Sequence, residues 1–189
     1  MNPLLQAAQA TLLALQTIDP SAIIAGGFLR DHYYGKPVKD IDYFVSSVAT
    51  LKQIKQVFPF ARQEHYAEFL RYQAAEVVDV IDLGTIEGVP AQVIVLAPGL
   101  IPEERARLHD FGFCQVWSRG LPTVFYSGTF VRDNFSDTVT LDHCESYSEF
   151  CRSMGRWRRL KQKYPEKTLV IPERFQDFST QFSVEFPDA

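Results

Sequence analysis

Two short runs decide how this chain is read: Ala25-Gly-Gly-Phe-Leu-Arg-Asp31 and Gly35-Lys-Pro-Val-Lys-Asp-Ile-Asp-Tyr43. The apolar stretch Ala22 to Ala25 predicts a short strand that ends at Gly26-Gly27. A helix is expected from about Phe28 to Tyr34, stopped by Gly35 and Pro37. Asp40 to Val45 then reads as a second strand, with Ile41, Tyr43 and Val45 on one face and Asp40, Asp42 and Phe44 on the other. A strand-to-helix turn built on two glycines leaves backbone N–H groups at a helix start, where an anion binds and nothing keeps it from the backbone. Two carboxylates at i, i+2 on a strand point the same way, and hard oxygen ligands of that kind suit Mg²⁺ shared with substrate phosphates. Either feature alone is commonplace; their order and spacing fit a single site for phosphoryl or nucleotidyl transfer.

The same alternation of elements continues on both sides. Upstream, Leu4, Leu5, Ala8, Leu12 and Leu15 trace one face of a helix from about Pro3 to Gln16. This segment has no early Lys or Arg and is broken by glutamines, so it reads as an amphipathic helix and not as a signal peptide. Downstream, Ser46 or Ser47 is the expected cap of a helix carrying Leu51, Ile54, Val57 and Phe58 on one face. Glu76 to Leu83 and Ala91 to Leu96 read as a hairpin turning through Gly84 to Pro90. Phe111 to Trp117 and Val124 to Tyr126 are further strand candidates, Ser146 to Lys163 is helical, and Gln176 to Ala189 reads as a loosely ordered acidic, aromatic tail. The mixture predicts an α/β (α+β) fold with a mixed sheet flanked by helices. The expected domains are 1–143 and, as a C-terminal basic helix and tail packed on it, 144–189.

Bulk properties narrow the function classes. With 189 residues and a formal net charge of -4, the chain is sized for one domain and is not a globally basic nucleic-acid binder. Three cysteines, Cys114, Cys144 and Cys151, form no CxxC pair, which argues against a disulfide framework or zinc knuckle. His32, His65, His109 and His143 show no metal-binding spacing. No segment is apolar enough to span a bilayer, and a reducing, cytoplasmic setting with no membrane partner is the expectation. Against the acidic background, Arg152, Arg156, Arg158, Arg159, Lys161 and Lys163 crowd into one predicted helix. Arg152, Arg156, Arg159 and Lys163 share a face there, with Trp157 and Tyr164 interleaved. This pattern suits either a solvated amphipathic helix or contacts to a triphosphate or an RNA backbone.

The run from Ala25 to Val45 resembles the head-domain signature of the polymerase-β nucleotidyltransferase superfamily, most closely its poly(A) polymerase and CCA-adding branch. The resemblance implies a nucleotidyltransferase fold and a metal-dependent enzyme, with Mg²⁺ or Mn²⁺, that moves a nucleoside monophosphate from a nucleoside triphosphate such as ATP to an acceptor hydroxyl. It implies metal ligands at Asp40 and Asp42 and nucleotide contacts at Gly26 and Gly27, with Arg30 near phosphate, Asp31 structural and Lys39 adjacent. Arg156 and Arg159 of the basic helix are the candidate triphosphate clamp. The branch often carries a third carboxylate on the second strand of the following hairpin. The preferred register puts the neutral Gln92 there, with Asp79, Asp82 and Asp110 as alternatives; Asp110 is taken as the third catalytic candidate. Leu108-His-Asp-Phe-Gly-Phe-Cys114 resembles the sugar-contacting RRDFTIN segment of the same branch, and the run on to Val116 is similar to small nucleotidyltransferase-like proteins of phages and large viruses. Acceptors left open are an RNA or tRNA end, a small molecule or a protein. The alternative is a nucleotide- or nucleic-acid-binding module of the same fold that has lost turnover.

Overall fold

The second strand, β2 (Ile41–Val45), is the centre of the molecule's main sheet, and its sequence explains why. Four of its five residues are buried, so both faces are covered, and only Asp42 at its start reaches the surface. The computed structural model describes residues 2–63 and 76–186. His65 lies outside them.

Around β2 the first unit, Met1–Arg107 with Val116–Phe125, assembles a seven-stranded sheet in the order β3-β4-β5-β2-β1-β6-β7. Its strands are β1 (Ile23–Ala25), β2, β3 (Arg62–Gln63), β4 (Val77–Ile86), β5 (Val89–Leu96), β6 (Val116–Gly120) and β7 (Thr123–Tyr126). β2 runs antiparallel to β1 and parallel to β5, while β4 and β5 form an antiparallel hairpin. The parallel pair needs a crossover, supplied by α3 (Leu51–Val57) with β3 and β4. On one face Ile23, Ala25, Phe44, Val80, Ile94, Leu96 and Trp117 pack with Ala106 of α4 (Pro102–Arg107). On the other, α1 (Pro3–Gln16) buries Ala8, Leu12 and Leu15, and Tyr43 Oη donates to Ala8 O at 3.1 Å.

Local chemistry moved several boundaries from those expected. The helix after β2 is capped by Thr50, not Ser46 or Ser47, because Gln53 three residues on completes a reciprocal capping box. The hairpin turns at Glu87-Gly88, both at positive φ (50° and 80°), as a tight two-residue connection requires. Gly84 lies inside β4 instead, at φ 83° beside a register shift, where its N–H donates to Asp82 Oδ1 at 2.7 Å; the expected turn residue makes a bulge.

The second unit comprises Leu108–Gln115 and Tyr126–Ala189. The boundary expected at 143 falls inside it. Its elements are α5 (Gly128–Asn134), β8 (Thr138–Thr140), the long basic helix α6 (Tyr147–Lys163), β9 (Thr168–Val170) parallel to β8, and α7 (Gln176–Glu185). The expected strand Phe111 to Trp117 is broken by a 3-10 turn, Gly112–Cys114. The cause is close packing: a Cβ on Gly112 would sit 2.1 Å from Thr129 Cγ2. The aromatic tail is helical where described, since Phe178 and Phe182 find a partner in buried Phe150 of α6, at ring separations of 6.1 and 5.8 Å. Lys167, buried, donates to the carbonyls of Asp133 and Ser136 and lies over the Phe113 ring, and burial holds its pKa below the usual lysine value. Cys114, Cys144 and Cys151 are all free thiols, and burial raises that of Cys144 to about 11. No helix among the described residues is long and apolar enough to cross a membrane.

One buried carboxylate ties the approaches of β1 and β2 together. Asp19 accepts from Ser21 N and Oγ through Oδ1, at 2.9 and 2.6 Å, and from Ser46 N through Oδ2 at 2.6 Å. Burial pushes its pKa upward, but the hydrogen bonds from Ser21 and Ser46 outweigh that and leave it below the usual aspartate value. A carboxyl whose folded pKa is depressed contributes stability above its unfolded pKa of about 3.9 and loses it as pH falls through the folded value. Asp19→Asn is therefore expected to cost about 1–3 kcal/mol at pH 7. The difference from the parent chain is expected to shrink as pH falls below 4 in urea titrations; a constant difference from pH 7 to pH 2.5 contradicts this role.

Candidate active site

The candidate site lies where β1 ends and β2 begins. Ile23 pairs with Phe44 and Ile24 with Tyr43, so continuing the antiparallel register sets Ala25 level with Asp42 and the glycine turn level with Asp40 and Ile41. Asp40 immediately precedes β2 and Asp42 is its second residue. Phe44 is buried in the sheet core, and the two-residue period of a strand puts Asp42 and Asp40 on the same side further out. Both carboxylates are partly exposed. Asp40 Oδ2 is 3.1 Å from Lys39 Nζ, itself on the surface. An exposed pair of this kind is weak enough to yield to a cation or a phosphate.

Gly26 is the hinge of the turn. Its φ of 78° and ψ of -127° are open to glycine and strained for any other residue. Its own N–H is not available to an anion as expected: it donates to Val116 O at 2.8 Å and continues the β1–β6 ladder. The unpaired N–H groups of the turn therefore belong to the first residues of α2 (Gly27–Tyr33), beginning with Gly27. A Cβ on Gly27 would lie 3.6 Å from Arg30 Nη2, so the Arg30 side chain folds back along its own helix towards the turn. Arg30 is buried and held by Asp31, with Nη2 2.6 Å and Nε 2.8 Å from Asp31 Oδ1. A buried pair like this costs desolvation but fixes the guanidinium in place.

The register sorts the candidates for a third carboxylate. Gln92 of β5 stands directly opposite Asp42, and its Nε2 donates to Asp42 Oδ1 at 2.7 Å. Asp82 pairs in turn with Gln92 and shares that face, one strand further out, but it is committed to Arg62 Nε at 2.7 Å. Asp79 pairs with Val95, which puts it on the opposite face, where it accepts from Gln63 Nε2 at 3.0 Å. Asp110 belongs to the second unit. There its Oδ2 accepts from Ser153 Oγ at 2.9 Å, and its Oδ1 from Arg156 Nη1 at 2.7 Å and from Phe111 N at 3.0 Å. Arg156 of the basic helix is thus the partner of Asp110, while Arg159 one turn on is exposed. Among the described residues no group of three or more His, Cys, Asp or Glu side chains is placed to hold a metal ion. Asp40 and Asp42 supply two oxygen donors, a set that fits Mg²⁺ when the remaining positions come from a triphosphate and water.

Two hubs escaped the sequence reading. Gln115 donates through Nε2 to His109 O (3.0 Å) and Asp142 Oδ2 (2.9 Å) and accepts from Ser127 Oγ (2.5 Å), all within the second unit. Glu103 holds Trp117 Nε1 at 3.1 Å and Arg119 Nη2 at 2.7 Å; the Arg119 hydrogen bond lowers its pKa against the opposing effect of burial. Neither has a sequence signal beyond an uninformative polar letter.

The α/β fold is one shared with solved nucleotidyltransferase structures. Solved structures with the same fold include a CCA-adding enzyme in complex with ATP (TM-score 0.68, 16% identity, 98% of this chain and 43% of that one) and a tRNA-processing enzyme in an apo form (0.64, 16%, 98% and 48%). A third is the Thermotoga maritima CCA-adding enzyme complexed with tRNA (0.55, 16%, 87% and 38%). The chain thus spans less than half the length of each. No family model matches the sequence, and no characterised protein is similar to it by sequence comparison.

The turn gives a direct test of this geometry. Gly26→Ala forces a side chain into the strained conformation, at an expected cost of about 1–3 kcal/mol. Gly27→Ala, at ordinary φ with its nearest neighbour at 3.6 Å, is expected to cost under about 1 kcal/mol. Thermal melts of the two variants compare them; equal losses contradict the assigned turn.

Proposed function

We propose that the chain is a metal-dependent nucleotidyltransferase that moves a nucleoside monophosphate from a nucleoside triphosphate to an acceptor hydroxyl. What supports it is Asp42 in β2 with Asp40 immediately before it, at the end of the strand that the β1 pairing brings level with the glycine turn opening α2. In this reading the two carboxylates would hold Mg²⁺ or Mn²⁺, which would supply charge neutralisation for the triphosphate and acidity for the acceptor hydroxyl. The first N–H groups of α2 and the Asp31-held Arg30 orient the phosphates, and Lys39 exchanges Asp40 for a phosphate oxygen. Within the second unit, Arg156, ion-paired to Asp110, and the exposed Arg159 are proposed as phosphate contacts. An RNA or tRNA end is the acceptor favoured by the cations of α6, with a small molecule or protein hydroxyl next.

One observation favours a second reading, a binding module without turnover. Opposite Asp42 the sheet offers the amide N–H of Gln92, a donor to the carboxylate, where a third acidic ligand would serve a second ion. Incubation of the chain with Mg²⁺ or Mn²⁺, each of the four labelled triphosphates and total RNA separates the two. Label transfer that falls at least about a thousandfold in Asp42→Asn, as loss of several kcal/mol of metal stabilisation implies, supports the enzyme. Nucleotide binding that is lost in Asp42→Asn, with no transfer to any acceptor, supports the module. Gln92→Glu is expected to tighten Mn²⁺ binding by about tenfold in either case, through an added carboxylate; unchanged binding contradicts a metal at this edge.

A further inference from the structure

The second unit contains a cleft of about 430 Å³ that the reading above leaves unused. Its walls carry two arginines from distant parts of the chain, Arg132 of α5 and Arg174 just before α7. Each guanidinium is fixed from behind. Arg132 Nη2 donates to Thr140 Oγ1 at 3.0 Å, and that hydroxyl donates onward to the fully buried Asp133 at 2.8 Å. Arg174 Nη2 donates to Asp142 O at 2.7 Å, and its guanidinium carbon lies 4.8 Å from the centre of the Phe175 ring. Arg132 Nε also lies 3.8 Å from Asp133 Oδ1, so of the five N–H donors of each guanidinium those on Nη1 of Arg132 and on Nε and Nη1 of Arg174 are left for a ligand. Both side chains are more than half exposed.

The rest of the lining narrows the ligand. Val170 and Pro172 form an apolar wall, and the cleft is large enough for a group well beyond a simple ion. Asp142 also lines it; its Oδ1 is 3.4 Å from Arg174 and its Oδ2 is bonded to Gln115. That carboxylate disfavours a ligand carrying several carboxylates and favours one that brings hydroxyl or amino donors beside its anion. Two preset guanidiniums for a phosphoryl group, an apolar wall for a flat ring or sugar and one acceptor for hydroxyls match the parts of a ribonucleotide. We infer that this cleft is a binding site for a ribonucleotide phosphate, separate from Asp40 and Asp42 and present whether or not the chain turns over. The phosphate comes either from a free nucleoside monophosphate or from a strand of RNA, and the two sources separate by experiment.

The full-length chain is titrated with AMP, and separately with a fluorescein-labelled single-stranded 12-nucleotide RNA. Binding is read by backbone amide chemical shifts and by anisotropy. The wild-type shifts are expected to concentrate at residues 132, 138–142 and 170–174. Arg132→Gln/Arg174→Gln removes the charge, and Val170→Trp, at a half-exposed position, fills the cleft while keeping it. Both are expected to weaken binding at least tenfold, and Asp40→Ala is expected to leave these shifts unchanged. If RNA is the source, the double variant also lowers the slope of log K against log salt by about 1.4, as two lost single-strand phosphate contacts imply. If a mononucleotide is the source, AMP binding is lost and RNA binding is not. The inference is overturned if the wild-type shifts fall elsewhere. It is equally overturned if both variants, folded by circular dichroism, bind AMP and RNA as the parent does.

Discussion

The pairing of β2 with β5 sets the conditions under which everything else in the first unit forms. A parallel pair cannot be closed by a tight turn, so the chain must leave β2, build α3, β3 and β4, and return. That detour adds β3 and β4 outside β5 and leaves β2 at the sheet's centre, buried along four of its five residues. Its polar end is the exception. Asp42 sits where the cover stops, and the partner strand presents Gln92 at the same level. Because a strand alternates with a period of two, shifting the β2–β5 register by one residue would exchange the faces of Asp42 and Tyr43 and part Asp42 from Gln92. The core therefore enforces the position of the carboxylates: Phe44 and Ile94 are locked in by packing, and Asp42 and Gln92 follow two residues before them.

The glycine turn depends on the same sheet from the other side. β1 is only three residues long, and Gly26 extends its ladder by donating to Val116. At φ 78° the chain then turns directly into α2, with no loop between. The start of α2 and the start of β2 are thus brought level by strand pairing and not by side-chain contact. Arg30, locked by Asp31, folds its side chain back towards this edge.

Much of this edge was legible in the sequence because its signals are local. Glycine pairs, an i, i+2 acidic pattern and short apolar strands need few residues to express themselves, and the hairpin register that sets Gln92 beside Asp42 agrees with the alternation along β5. The assignment of Leu108–Gln115 to the second unit was not legible. Leu108–Gln115 looks like a core strand by composition, yet the chain breaks at Gly112 because Thr129 and Asp133 occupy the space a Cβ needs, and that contact is invisible without α5. The same holds for the aromatic tail, whose helix rests on Phe150. Asp110 illustrates the limit for a candidate residue: its acid and aromatic neighbour stood out, but its engagement by Ser153 and Arg156 depends on partners more than forty residues away.

That last separation has a meaning for the order in which a growing chain can settle. The segment carrying Asp110 leaves the ribosome before β6 and β7, and the hydroxyl and guanidinium that satisfy its carboxylate follow 43 and 46 residues behind. At synthesis rates of about 5–20 residues per second this is an interval of roughly two to nine seconds. During it the strands that complete the first unit have already emerged, while a short peptide between them still awaits its partners. The carboxylate of Asp110 thus gains its hydroxyl and its ion partner only once α6 has been synthesised.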